Sequence, residues 1–171
     1  VGGKVGVNTA LGKNRVGYFY QPSLVFVPVA LLETLPAAEL RSGLGEAIKH
    51  GLLADESILS ICENETDRVL GKDVEVMEEL VYKNCSVKAG IVQQDELDNG
   101  VRSLLNFGHT VGHSIESASG YGQFRHGECV SIGLLSEMKW AVERGVLDGS
   151  VVERSTELMR RLSIPTSLPS F

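Results

Sequence analysis

The chain has 171 residues, 43% of them hydrophobic and 22% charged, with a net charge of −6. That is enough to bury a core as one soluble domain. The acidic balance excludes a broad nucleic-acid-binding face but leaves room for a small anion held by a few local cations. No run approaches the ~18 apolar residues of a membrane span, and the N-terminus lacks a signal-peptide pattern, so no membrane partner is expected. Cys62, Cys85 and Cys129 are odd in number, far apart and in apolar settings. They read as reduced core thiols of a cytoplasmic protein. Opening on V-G-G-K, with no leader, suggests a piece of a longer protein.

Residues 1–22 are Gly-rich and polar and read as a loop or short hairpin. Their G-G-K-V lacks the G-x-x-x-x-G-K-[ST] of a phosphate loop. Leu24 to Val29, an apolar run bounded by prolines, is the best strand candidate. Thr34 can cap a helix running through Leu53, with Leu40, Leu44, Ile48 and Leu52 as its core face. Glu46 and Lys49 lie off that face, and taken alone they read as an exposed i,i+3 ion pair. Gly43 and Gly45 weaken a helix interior, which suggests that something approaches the backbone there.

A short helix is expected from Ser57 and a longer one from Asp73 to about Gln94. The longer one places Asn84 and Lys88 on its apolar side, so Lys88 either snorkels to water or meets an anion. After the acidic pair Asp95-Glu96 comes a stretch whose Arg102, Asn106, His109, His113 and Glu116 share one stripe if it is written as a helix. Gly108, Val111, Ile115 and Ala118 form the opposing apolar stripe. From His126 a helix that is apolar almost all round, Trp140 included, belongs at the centre of a bundle. A last amphipathic helix carries Val151, Val152, Leu158 and Leu162. The fold class is therefore mainly α: a multi-helix domain with a short strand and loop segment at its N-terminus.

A stripe carrying a cation, an amide, two imidazoles and a carboxylate makes a poor core, because each group needs a partner when buried. His109 and His113, at i,i+4, can share a metal with a carboxylate, and Zn²⁺ suits that donor set. Thr110 follows His109 where H-E-x-x-H has its Glu, which disfavours a metalloprotease of that kind. Spacing does not choose between His113 and His126 as the second imidazole, and ordinary hydrogen bonding of two helical histidines is the plain alternative.

Taken together, V-G-G-K-x-G-V-N, L-G-K-N, Y-Q-P, L-P-A-x-E-x-x-x-G-x-x-E-x-I-K-x-G, K-A-x-x-V-x-x-D-E, R-x-L-L-N-F-G-H-T-x-G-H and H-G-E stand in the order found in 3-dehydroquinate synthases. The chain resembles the C-terminal metal- and substrate-binding part of that family, from a monofunctional enzyme or a pentafunctional shikimate-pathway polypeptide. The resemblance implies a single domain over 1–171, cut from a longer enzyme. Residues 1–30 would join a missing N-terminal NAD-binding domain, and 31–171 would form the helical body. The family reaction converts the seven-carbon sugar phosphate DAHP to 3-dehydroquinate with loss of phosphate, in aromatic amino acid biosynthesis. It uses NAD and Zn²⁺ or Co²⁺, and the full-length enzyme is expected to be a homodimer.

By the same resemblance the metal ligands are Glu46, His109 and His126, and His113 becomes a proton-transfer group. Lys88 and Arg102 would hold the substrate carboxylate. Lys4, Asn14 and Asn106 would serve its phosphate, and Lys49 a hydroxyl beside the metal. Lys13, Asn14, Leu31, Leu32, Glu33 and Thr34 match positions near NAD. Asp98 stands where the family carries a Glu credited with proton transfer and is one methylene shorter. A related sugar-phosphate cyclase, a metal-dependent polyol dehydrogenase and a non-catalytic zinc-binding helical module are the other readings. The Lys88–Arg102 pair and the phosphate-directed set favour the synthase.

Overall fold

The computed structural model describes residues 1–10, 12–120 and 124–168, side chains at 8 and 12–15 excepted. The polar N-terminus forms a hairpin: β1 (Lys4–Thr9) runs antiparallel to β2 (Gly12–Phe19), with Lys4 opposite Phe19 and Val7 opposite Val16. Val5, Val7, Val16 and Tyr18 are exposed. Leu24 to Val29 does not form the expected strand. Pro22 and Pro28 cannot donate ladder bonds, and no third strand pairs with this run among the described residues. Leu24 and Phe26 are each 81% exposed.

After Pro28 the chain enters a 3-10 helix, Val29–Thr34. Thr34 closes that turn, its hydroxyl donating to the Leu31 carbonyl at 3.2 Å, and so does not cap the next helix. The residue before a proline is pushed toward extended backbone. Leu35 accordingly sits at φ −68°, ψ 128°, and α1 (Ala37–Leu53) starts after Pro36 instead.

Leu40, Leu44 and Ile48 turn into the core as their spacing requires. Asp55 caps α2 (Glu56–Asn64), α3 (Thr66–Leu70) follows, and Asp73 caps the long α4 (Val74–Gln94), whose bounds match the sequence reading. The stretch read as one helix over 102–116 is broken. It is a 3-10 helix, Val101–Asn106, then Gly108 at φ +78°, then α5 (His109–Ala118). A left-handed residue cannot continue a right-handed helix, and glycine adopts it without strain.

The centre belongs to α6 (His126–Glu143), which packs on α1, α5 and the last helix, α7 (Gly149–Arg161). Val130, Leu134 and Leu135 share one core with Ile48, Ile58, Met159 and Leu162, and Met138 is buried as well. The bundle covers α6 only as far as Met138. Trp140, expected in the core, is 59% exposed, with the Arg144 guanidinium 4.9 Å from its ring centre. Cys62 and Cys129 are buried, while Cys85 is only half-buried. Burial pushes the Cys62 thiol up to about 12.

Candidate metal centre

The site is set by how closely α6 crosses α1 and α5. A methyl group added at Gly127 would fall 1.9 Å from the Ser42 carbonyl oxygen, and one at Gly133 would fall 2.1 Å from that of Gly108. At Gly45 it would meet the Ser131 hydroxyl at 2.3 Å. The backbones therefore touch, and the Gly127 N–H donates to the Ser42 hydroxyl at 3.0 Å. The expected approach beside Glu46 is real at Gly45 and absent at Gly43, which has nothing within 4 Å. This crossing brings the first turn of α6, with His126, against the middle of α1, with Glu46. The Gly108 turn sets His109 beside them. Its N–H is held by Glu137 Oε2 at 2.9 Å, a contact that no local pattern announces.

Glu46 Oε1 lies 3.5 Å from Nε2 of His109 and 3.5 Å from Nε2 of His126. Its other oxygen accepts from Lys49 Nζ at 2.5 Å. The ligand atoms of Glu46, His109 and His126 all lie within 4.8 Å of one another. Zinc bonds of ~2.0–2.1 Å imply tetrahedral edges of about 3.4 Å, so two imidazoles and a carboxylate at these separations fit one divalent ion. Three protein ligands also leave a coordination position for a substrate, as catalytic zinc sites do. Among the described residues, His109 and His113 share no such group of ligand atoms. Their rings stand edge to face at 5.4 Å, and His113, Glu116 and His126 form a separate, overlapping trio.

Both imidazoles of this trio are held from behind. His109 Nδ1 lies 3.2 Å from the Phe107 carbonyl, and His126 Nδ1 lies 3.1 Å from Glu116 Oε2. Burial alone would raise the Glu46 carboxyl. The hydrogen bond from His126, together with Lys49 and His109, outweighs burial and holds it well below the usual carboxylate range. The Glu46 hydrogen bond, with a further one from Glu116, raises the His126 imidazole despite its burial. Burial and the Lys49 charge lower His109.

Lys49, read from sequence as half of an exposed pair, is 3% exposed. Lys88 is lowered by burial and by Lys49 and Arg102, against the pull of Glu46. These cations thus share one field beside the carboxylate. Arg102 is 2% exposed, and its guanidinium donates to the carbonyls of Glu96 at 2.6 Å and Gly2 at 2.5 Å. It ties the hairpin's base to the loop after α4. Asp95 organises that loop by accepting N–H bonds from Asn99, Gly100 and Arg102. Lys4 pairs with Asp98, which sits at φ +63°. Asn106 and His113 are exposed.

Leu31, Leu32, Glu33 and Thr34 lie on the 3-10 helix. Leu32 lines an apolar groove with Leu35, Leu40 and Leu44 that reaches Glu46 and His50. The side chains of Lys13 and Asn14 lie outside the described residues. Sequence reasoning gave no role to Glu116, although its place seven residues after His109, on the same stripe, was a signal for it. The Ser42–Gly127 contact, which joins positions 85 apart, had none.

Fold and donor set together define a helical domain whose Glu46, His109 and His126 could hold one divalent metal next to a cluster of cations. The chain belongs to the 3-dehydroquinate synthase family. The model of that family's C-terminal part matches residues 43–171, and the model of its N-terminal part matches residues 1–42. The 3-dehydroquinate synthase of Desulforamulus reducens is 46% identical over 99% of the chain, and that of Citrifermentans bemidjiense is 42% identical over all of it. The chain spans about half the length of these relatives, 47% in each case.

Among solved structures, 2-epi-5-epi-valiolone synthase from Streptomyces hygroscopicus subsp. jinggangensis, with NAD⁺ and Zn²⁺ bound, has a TM-score of 0.89 at 28% identity. The match covers 99% of this chain and 47% of that one. The 2-deoxy-scyllo-inosose synthase complexed with carbaglucose-6-phosphate, NAD⁺ and Co²⁺ scores 0.84 at 25% identity, covering 98% and 45%. No helix among the described residues is long and apolar enough to cross a membrane.

Proposed function

We propose that this chain is the metal- and substrate-binding half of a 3-dehydroquinate synthase, acting in the cytoplasm as part of a homodimer. In that reading it converts DAHP to 3-dehydroquinate and phosphate. The observation that carries the proposal is the convergence of Glu46, His109 and His126 on one point beside Lys49 and Lys88, in a chain 40–46% identical to named 3-dehydroquinate synthases. Residues 1–30 would join the helical body, 31–171, to an NAD-binding half. That half would also cover the exposed apolar run from Leu24 to Val27.

Glu46, His109 and His126 would hold Zn²⁺ or Co²⁺, which supplies Lewis acidity to a substrate hydroxyl, while bound NAD⁺ supplies hydride exchange. The chain's own residues bind, orient and move protons. Lys49 reaches the hydroxyl next to the metal, and its bond to Glu46 keeps that carboxylate ionised. Lys88 meets the substrate carboxylate at a half-buried position, where fixed charge attracts more strongly than in water. Arg102 supports that end and keeps the 95–102 loop in place through Glu96 and Gly2. His113 stands exposed beside His109 and His126, where it relays the proton that leaves with elimination, and the exposed Asn106 serves the phosphate with Lys4 and Asn14. Asp98 holds Lys4 and is a second proton-transfer candidate. Lys13, Asn14 and the 31–34 turn contact the dinucleotide.

The structural likeness to cyclases acting on other sugar phosphates favours a related cyclase as the second reading. Phosphate release decides between them. The chain expressed with the rest of its protein, given NAD⁺ and Zn²⁺, should release phosphate from DAHP and not from glucose 6-phosphate. The 171-residue chain alone should release none. Release that needs no NAD⁺, or a preference for the substrate lacking a carboxylate, would overturn the assignment. Replacing Glu46, His109 or His126 by Ala should abolish metal binding, whereas His113→Ala should keep it. Metal retained in all three ligand variants would refute the centre.

A further inference from the structure

Glu116 shares the stripe of the metal ligand His109 but has no part in the ligand set. It is 7% exposed, and its Oε2 lies 3.1 Å from Nδ1 of His126. The other ring nitrogen, Nε2, lies 3.5 Å from Glu46 Oε1. A carboxylate beside one imidazole nitrogen keeps the proton on that nitrogen, leaving the lone pair on the other.

The two ligand histidines differ in how much help they need. The His109 side chain is 15% exposed and follows the tightly packed Gly108 turn, and a backbone carbonyl suffices behind it. His126 is the first residue of α6 and its side chain is 44% exposed, so little packing restricts its ring. Glu116, anchored two turns along α5 from His109, is the group that does.

We infer that Glu116 is a positioning residue that fixes the tautomer and ring orientation of His126, so that Nε2 faces the metal. The inference rests on the Glu46–His109–His126 centre proposed above. It has one rival on the same atoms: His113, Glu116 and His126 also lie within 4.8 Å of one another, so Glu116 as a direct ligand in a second seat makes a different prediction.

The test uses the full-length protein and two variants of similar volume. Glu116→Met removes the acceptor, and Glu116→Gln keeps an acceptor oxygen without the charge. Co²⁺ affinity and the visible absorption of bound Co²⁺ are measured, with circular dichroism confirming the fold. E116M should bind Co²⁺ roughly 10–100-fold more weakly, the usual effect of losing a group that orients a metal ligand, and with altered absorption. E116Q should stay close to the parent in both. Parent-like binding by E116M overturns the inference, as does an equal loss in both variants. So do two Co²⁺ per chain falling to one in E116M, which makes Glu116 a ligand. A parent that binds no Co²⁺ removes the centre itself, an outcome distinct from a parent that binds and an E116M that binds equally well.

Discussion

Gly127→Ala tests whether the crossing of α1 and α6 sets the ligand geometry. The added methyl would lie 1.9 Å from the Ser42 carbonyl oxygen and 2.6 Å from its carbon. A carbon–oxygen contact relaxes at about 3.3 Å, so the two helices must part by roughly 1.4 Å at that point. Neither neighbour is a flexible side-chain end that could swing aside. His126 rides on the same turn, and its Nε2 starts 3.5 Å from Glu46 Oε1. Separation on that scale carries the pair well past the roughly 3.4 Å edge of a tetrahedral zinc site.

Overpacking of this kind costs about 1–3 kcal/mol, which lowers Tm by roughly 3–10 °C in a domain of this size. Metal affinity should fall by about 10-fold or more. Thermal melts and Co²⁺ titration of the purified variant read both. Gly43→Ala on α1 is the control: with nothing within 4 Å, it should gain about 0.5–1 kcal/mol from helix propensity alone. A G127A protein with the parent's Tm and metal affinity would refute the claim that this contact positions the ligands.

Burial lowers the His50 imidazole, against the hydrogen bond to Asn84 Oδ1 at 2.9 Å. The fold therefore prefers the neutral ring. The stability this confers is full above the unfolded value of about 6.5 and is lost as pH falls toward the depressed folded-state value. Tm measured from about pH 5 to 8 should fall more steeply on acidification for the parent than for His50→Gln, and parallel curves would count against it. Trp140 is the chain's single tryptophan, so its environment can be read directly by fluorescence. Emission should be red-shifted, open to acrylamide quenching, and little changed on unfolding. A blue-shifted, protected emission would place it in a core after all.

Helix existence was legible where local chemistry decides it. Asp73 opening a long amphipathic run gave α4, and the repeat of Leu40, Leu44 and Ile48 gave the buried face of α1. The failures share one cause, tertiary context. Apolar spacing makes Gly108 a face position, but its carbonyl packs against Gly133 and its N–H is taken by Glu137, so it breaks the helix. Leu24 to Val29 has strand composition but, among the described residues, no strand beside it. Trp140 continues an apolar helix past the end of the bundle. Spacing pairs His109 with His113, whereas the family motifs name Glu46, His109 and His126; among the described residues the structure gathers the ligand atoms of that trio and also those of His113, Glu116 and His126. The Arg102 guanidinium also donates to two backbone carbonyls, a structural duty that residue type alone does not reveal.

The crossing of α1 and α6 has a thermodynamic side. Ser42 and Gly127 touch across 85 positions of chain, and closing so long a loop costs conformational entropy that no local interaction repays. An ion shared by Glu46 on α1 and His126 on α6 would act as a removable cross-link over that loop. At a free concentration of about 100 times its Kd it would add ~2.7 kcal/mol to the folded state. The metal supply would then set how firmly the two parts of the helical body are held together, as well as whether the site can work.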